Sequence, residues 1–216
     1  MDFQIFVDII SSISIIIASV IAIMGVSSWR HEAKWRRKYE LAEDVLANAY
    51  DAQIRFRIIR HSISHPEEGR TRQIDPSENP KHAHVIRLGY IIYERFNNEK
   101  EPFLQLEKLV FRFMALVGKE EAKPLQEIIN IKNEILNNSD LFVKFSIWRN
   151  DEIKNGTSDN EQITFYSNCI AEAKTVIWEL RNQDDSINIR INKALKELES
   201  ICKPVIEGKK KNFLPF

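Results

Sequence analysis

From Ile9 to Trp29 the chain carries no charged residue, and Arg30, Lys34, Arg36, Arg37 and Lys38 follow at once. At about 1.5 Å of rise per helical residue these roughly 21 residues span about 31 Å, close to the ~30 Å hydrocarbon thickness of a bilayer, so the pattern predicts a transmembrane helix. The helical rhythm does not stop there. Neither Gly nor Pro occurs between Arg30 and Ser64, and Ala42, Val45, Ala49, Ala52, Phe56, Ile59 and Ile63 recur alternately three and four apart. That is a heptad-like seam, and it predicts that the membrane helix runs on as one long helix. Pro66 and Gly69 end it, and 65–81, with Pro66, Pro76 and Pro80, reads as a surface loop.

Beyond the loop, Val85, Ile92 and Phe96 mark a short second helix. Pro102 suits the first turn of a third, which runs through Val117 with Gly118 as its C-cap. Pro124 opens a fourth through Leu136, after which a separate segment around Leu141, Phe145 and Trp148 is expected to cross the bundle. The stretch 151–160 is polar and holds Gly156, and Ser158 with Glu161 has capping-box spacing for a helix carrying Ile163, Tyr166, Ile170, Ala173, Ile177 and Leu180. Asp184, Asp185 and Ser186 break and recap the chain before a last helix with Ile187, Ile191, Ala194, Leu198, Ile201 and Val205. The expected fold is all-α, an N-terminal transmembrane helix continuing into a long cytoplasmic helix packed in a helical bundle. Its divisions are a short extracytoplasmic N-terminus at 1–8, the span at 9–29, the cytoplasmic bundle at 30–207 and a basic, apolar tail at 208–216.

Charge sets the expected orientation. Only Asp2 and Asp8 precede the span while five basic residues follow it, so the N-terminus is expected outside and the bundle in the cytoplasm. The two acids also have the wrong sign for the n-region of a secretory signal. Lys+Arg 31 against Asp+Glu 31 gives a formal net charge of +0, which removes any general attraction to nucleic acid. In the tail, Lys209, Lys210 and Lys211 precede Phe213, Leu214 and Phe216, a combination that suits an anionic leaflet. Cys169 and Cys202 lack a neighbouring Cys or His at zinc spacing and read as small core residues.

Small residues Ser14, Ala18 and Gly25 recur on one side of the span, and a smooth stripe lets two membrane helices approach closely. Ala49 and Ala52 are expected to continue that surface below the membrane, giving a homo-oligomer. The phrases Trp35-Arg36-Arg37-Lys38-Tyr39-Glu40-Leu41-Ala42, Tyr50-Asp51-Ala52 with Ile59-Arg60, and Phe111-Arg112-Phe113-Met114-Ala115-Leu116-Val117-Gly118 resemble those of bacterial single-span, membrane-anchored helical-bundle proteins with no defined activity. The resemblance implies the anchored-bundle fold and carries no cofactor and no catalytic residue.

Candidate chemistry concentrates in Arg60-His61-Ser62-Ile63-Ser64-His65. No glycine cluster suited to cradling a phosphate occurs, and His31-Glu32 lacks the second His of a helical zinc-protease motif. His61 and His65 stand one helical turn apart and, with His82, His84 or Glu67, are the candidates for a metal. An Arg separated by four residues from a His also resembles the signature of the all-helical HEPN ribonucleases. That resemblance implies Arg60 as the phosphate contact and His65 as general acid or base in metal-independent RNA cleavage. Arg55, Arg57, Arg60, Arg70 and Arg72 form a basic patch, but Glu67, Glu68, Asp75 and Glu78 offset it, so nucleic acid is not the expected partner. The function that the whole pattern favours is a membrane-anchored, non-catalytic interaction or oligomerisation module, without cofactor, whose partners are the bilayer, further copies of itself and a cytoplasmic protein. A bacterial sensor, scaffold or defence component has that shape.

Overall fold

Long runs of good helix formers, with Pro confined among the described residues to first turns, loops and one last turn, leave little room for anything but helix. A computed structural model describes residues 3–155, 160–180 and 184–208. Within them lie α1 (Phe3–Ile59), α2 (Ala83–Glu99), α3 (Glu101–Leu116), α4 (Lys123–Asn155), α5 (Asn160–Ile177) and α6 (Ser186–Ile206), and no strand. Asp2, Gly156, Ser158 and the tail from Lys209 lie outside the described residues, as do the side chains of Asp8 and Ser11. The chain divides into two units, Met1–Leu41 and Ala42–Phe216.

The first unit is the N-terminal part of α1. It contains a stretch that by length and composition can cross a membrane, and none of that stretch is buried against other parts of the protein.

The second unit is the bundle. The predicted seam is its spine, with Val45, Ala49, Ala52, Phe56 and Ile59 all buried. Phe56 meets Phe103 of α3 edge to face, their ring centroids 4.8 Å apart. α6 runs antiparallel to this part of α1. Arg60 pairs with Asp185, Gln53 Nε2 donates to Asn192 Oδ1 at 2.7 Å, and the Tyr50 hydroxyl donates to Glu199. α3 ends as its sequence predicts, with Gly118 at φ 149°, a backbone that L side chains rarely adopt. Asp185 caps α6, its carboxylate accepting the Asn188 N–H at 2.9 Å.

Two predicted boundaries are corrected. α1 does not run on to Pro66 and Gly69 but stops at Ile59, and Ile63, counted in the seam, lies past its end and is 53% exposed, because the Ile59, His61 and Ile63 carbonyls are taken by the Arg95 guanidinium. The fourth helix does not stop near Leu136 to yield a crossing segment, because α4 runs unbroken from Lys123 to Asn155. The polar run that suggests a break is held by partners. Asn138 Nδ2 donates to the Glu134 carbonyl at 2.9 Å, Ser139 Oγ to the Gly89 carbonyl at 2.7 Å, and the Tyr93 hydroxyl to Asp140 at 2.8 Å. Gly89 is what lets α2 come so near, since a Cβ there would sit 2.2 Å from Val143 Cγ2.

Candidate functional site

The ends of α1 and α5 leave carbonyls without helical partners, and a buried arginine serves each, Arg95 at α1 and Arg60 at α5. Arg60 is fully buried, and its Nε donates to the Val176 carbonyl at 2.8 Å. Nη1 donates to Asp185 Oδ1 at 3.0 Å and Asn188 Oδ1 at 3.2 Å. Nη2 donates to Asp185 Oδ2 at 2.9 Å and lies within reach of the Thr175 and Trp178 carbonyls at 3.1 and 3.2 Å. A guanidinium has five N–H protons, and all five have acceptors here. The Arg60 carbonyl in turn accepts the Glu179 N–H at 2.6 Å. Burial raises the Asp185 carboxyl, but Arg60 and the N–H groups of Asn188 and Leu180 outweigh it and hold it below the usual carboxylate range.

Arg95, on α2, grips the end of α1. Its Nη1 donates to the Ile59 and His61 carbonyls and Nη2 to that of Ile63, at 3.3, 2.5 and 2.8 Å. Nε and Nη2 together hold Glu68 in a bidentate pair at 2.9 and 2.8 Å, which keeps the Glu68 carboxyl low. Its guanidinium also lies 5.7 Å from the centroid of the Trp178 ring. Acceptor carbonyls and a cation at a helix C-terminus are complementary, so both arginines act as caps.

This geometry separates the residues that the ribonuclease signature joins. His65 is exposed and lines a groove of about 410 Å³ with His61, Glu68, Arg95 and Ile58. Arg60 does not line that groove; it faces the junction of α5 and α6, with no donor left for a phosphate. Arg95 is the arginine beside His65, and it too is saturated. The metal candidates are likewise dispersed. His61 Nδ1 lies 3.0 Å from the Ile63 carbonyl, His82 Nε2 lies 2.9 Å from Asp151, and His84 is exposed. Among the described residues no three His, Cys, Asp or Glu side chains are placed to hold a metal ion.

The self-association residues divide as well. Ser14, Ala18 and Gly25 are exposed, and a Cβ built on Gly25 meets nothing within 4 Å. Ala49 and Ala52 are 1% and 0% exposed and serve the bundle's own core, so they cannot extend a surface between copies. A second groove, of about 420 Å³ between α2 and α4, is lined by Tyr90, Tyr93, Asp140, Lys144 and Trp148. Its polar groups are mutually engaged, Tyr93 with Asp140 and Lys144 over the Trp148 ring at 4.6 Å. Neither this groove nor the role of Arg95 is signalled by residue spacing.

No family model, curated protein or solved structure matches the chain.

Proposed function

We propose that the chain is a membrane-anchored, non-catalytic helical interaction module. The apolar stretch 9–29 holds it in the bilayer with the N-terminus outside, copies associate through Ser14, Ala18 and Gly25, and the bundle meets a protein partner in the cytoplasm. One observation carries the reading. Between Ile13 and Trp29, ten large apolar side chains are half or more exposed. At about 1 kcal/mol for each half-exposed side chain, leaving them in water costs on the order of 10 kcal/mol, as much as the whole stability of a typical domain. A bilayer removes that cost. The saturated guanidiniums of Arg60 and Arg95 support the non-catalytic part, since they are engaged in holding helices together. The test is alkaline carbonate extraction of membranes containing the full chain, with a topology reporter fused after Phe216. The chain is expected to stay in the membrane pellet with the reporter active on the cytoplasmic side. Release into the supernatant overturns the anchor, and activity on the outer side alone overturns the orientation.

A further inference from the structure

The bundle segment of α1 has a second apolar face. Val45, Ala49, Ala52 and Phe56 are buried, while Ala47, Tyr50, Ile54 and Ile58, spaced three, four and four apart on the other side of the helix, are exposed. Ile54 is 56% exposed and Ile58 41%. Large apolar side chains repeated at this spacing on one exposed helix face suit packing against another helix.

We infer that this face docks in parallel against the same face of a second copy of the chain, a proposal that rests on the anchored-module reading above. Charge selects the partner. Asp51 and Arg57 lie three residues to either side of Ile54 and so stand about 60° off the stripe in opposite directions. A two-fold axis along the helices brings the Asp51 flank of each copy to the Arg57 flank of the other, in the manner of the e and g charges that fix orientation in coiled coils. Arg57 is exposed and has no ion pair among the described residues. Asp51 is held only by Arg55 of its own helix, at 2.9 Å, and stays 42% exposed.

Glu43, one turn before Ala47, ends the apolar stretch, which is about three turns long. So short a contact does not hold a dimer in solution. Between copies already anchored side by side, the local concentration is high enough for it to matter.

The test uses the purified full chain reconstituted in phosphatidylcholine liposomes, so no other protein is present. Ile54→Cys is oxidatively crosslinked, and Phe111→Cys, at a residue 74% exposed on α3, sets the yield from random collision. Ile54→Cys is expected to give covalent dimer at several-fold the Phe111→Cys yield. Adding Arg57→Glu should lower that yield several-fold, and adding Asp51→Arg to the pair should restore it. A yield no higher than that of Phe111→Cys, with the chain still floating with the liposomes, overturns the docking and leaves the anchor standing. High yield that ignores Arg57→Glu overturns the parallel, charge-matched arrangement. A chain that does not float with liposomes overturns both readings.

Discussion

Replacing Arg60 with Met keeps most of the side-chain volume and removes the guanidinium. Asp185, 1% exposed, then loses its counter-ion, and the Val176, Thr175 and Trp178 carbonyls lose a donor. Breaking a buried ion pair from one side costs about 3–5 kcal/mol, and stranded acceptors push towards the upper figure. For a chain of this size each kcal/mol lowers the melting temperature by roughly 2–4 °C, so a fall of roughly 6–20 °C is expected. Far-ultraviolet circular dichroism of the full chain in mild detergent reads it. The double variant Arg60→Met with Asp185→Ser should recover part of the loss, because serine still caps α6 while no charge is left buried alone. His65→Ala, at an exposed side chain, should stay within about 0.5 kcal/mol of the parent. An Arg60→Met variant within about 1 kcal/mol of the parent refutes the reasoning, because it means the guanidinium carries no such load. So does a loss that disappears at high salt, because a pair this deeply buried is poorly screened.

Acid should weaken the bundle through the same contacts. Asp185 and Glu68 have folded pKa values held below their unfolded ones, so their stabilisation is complete above about pH 5 and is lost as pH falls through the folded values. The denaturant midpoint should be flat near neutrality and drop on acidification, and a midpoint insensitive to acid would contradict both pairings. Burial pushes the Cys202 thiol up to about 12, whereas Cys169 is half-buried. Mass spectrometry after brief alkylation should find Cys202 protected in the folded chain and both thiols modified after unfolding; rapid modification of Cys202 in the folded chain would contradict its packing. Gly89→Ala improves helix propensity but forces a Cβ into Val143, whose branched side chain has little freedom to move. A net loss of about 1–3 kcal/mol is expected, and a gain would mean that α2 and α4 are not so close.

The sequence displays most of the helices because they carry their own punctuation. Pro102 and Pro124 fall in first turns, Asp185 caps α6, and the apolar periodicity marks the buried seam. What it hides depends on distant partners. Asn137 to Asp140 read as a helix stop by propensity, yet α2 supplies Gly89 and Tyr93 to hold two of them in helix, and tertiary contact outweighs local preference. Ala49 and Ala52 announce a close helix contact, but small size cannot say whether the approaching helix belongs to the same chain. Arg60 and His65 have a suggestive spacing. Direction is what spacing omits: the arginine turns towards Asp185, 125 residues away, and the histidine turns to solvent. The one usable signal was the Asp184-Asp185 pair, a ready counter-charge for an arginine at the end of an apolar seam.

The separation between Arg60 and Asp185 also governs how the protein can be made. Synthesis at roughly 5–20 residues per second puts on the order of ten seconds between the appearance of the two. Throughout that interval the α1 seam lacks one of the helices that close it, α6, the last of the six to arrive. The newborn chain is therefore at its stickiest while still on the ribosome. A chain cut short anywhere before Ser186 never leaves that condition.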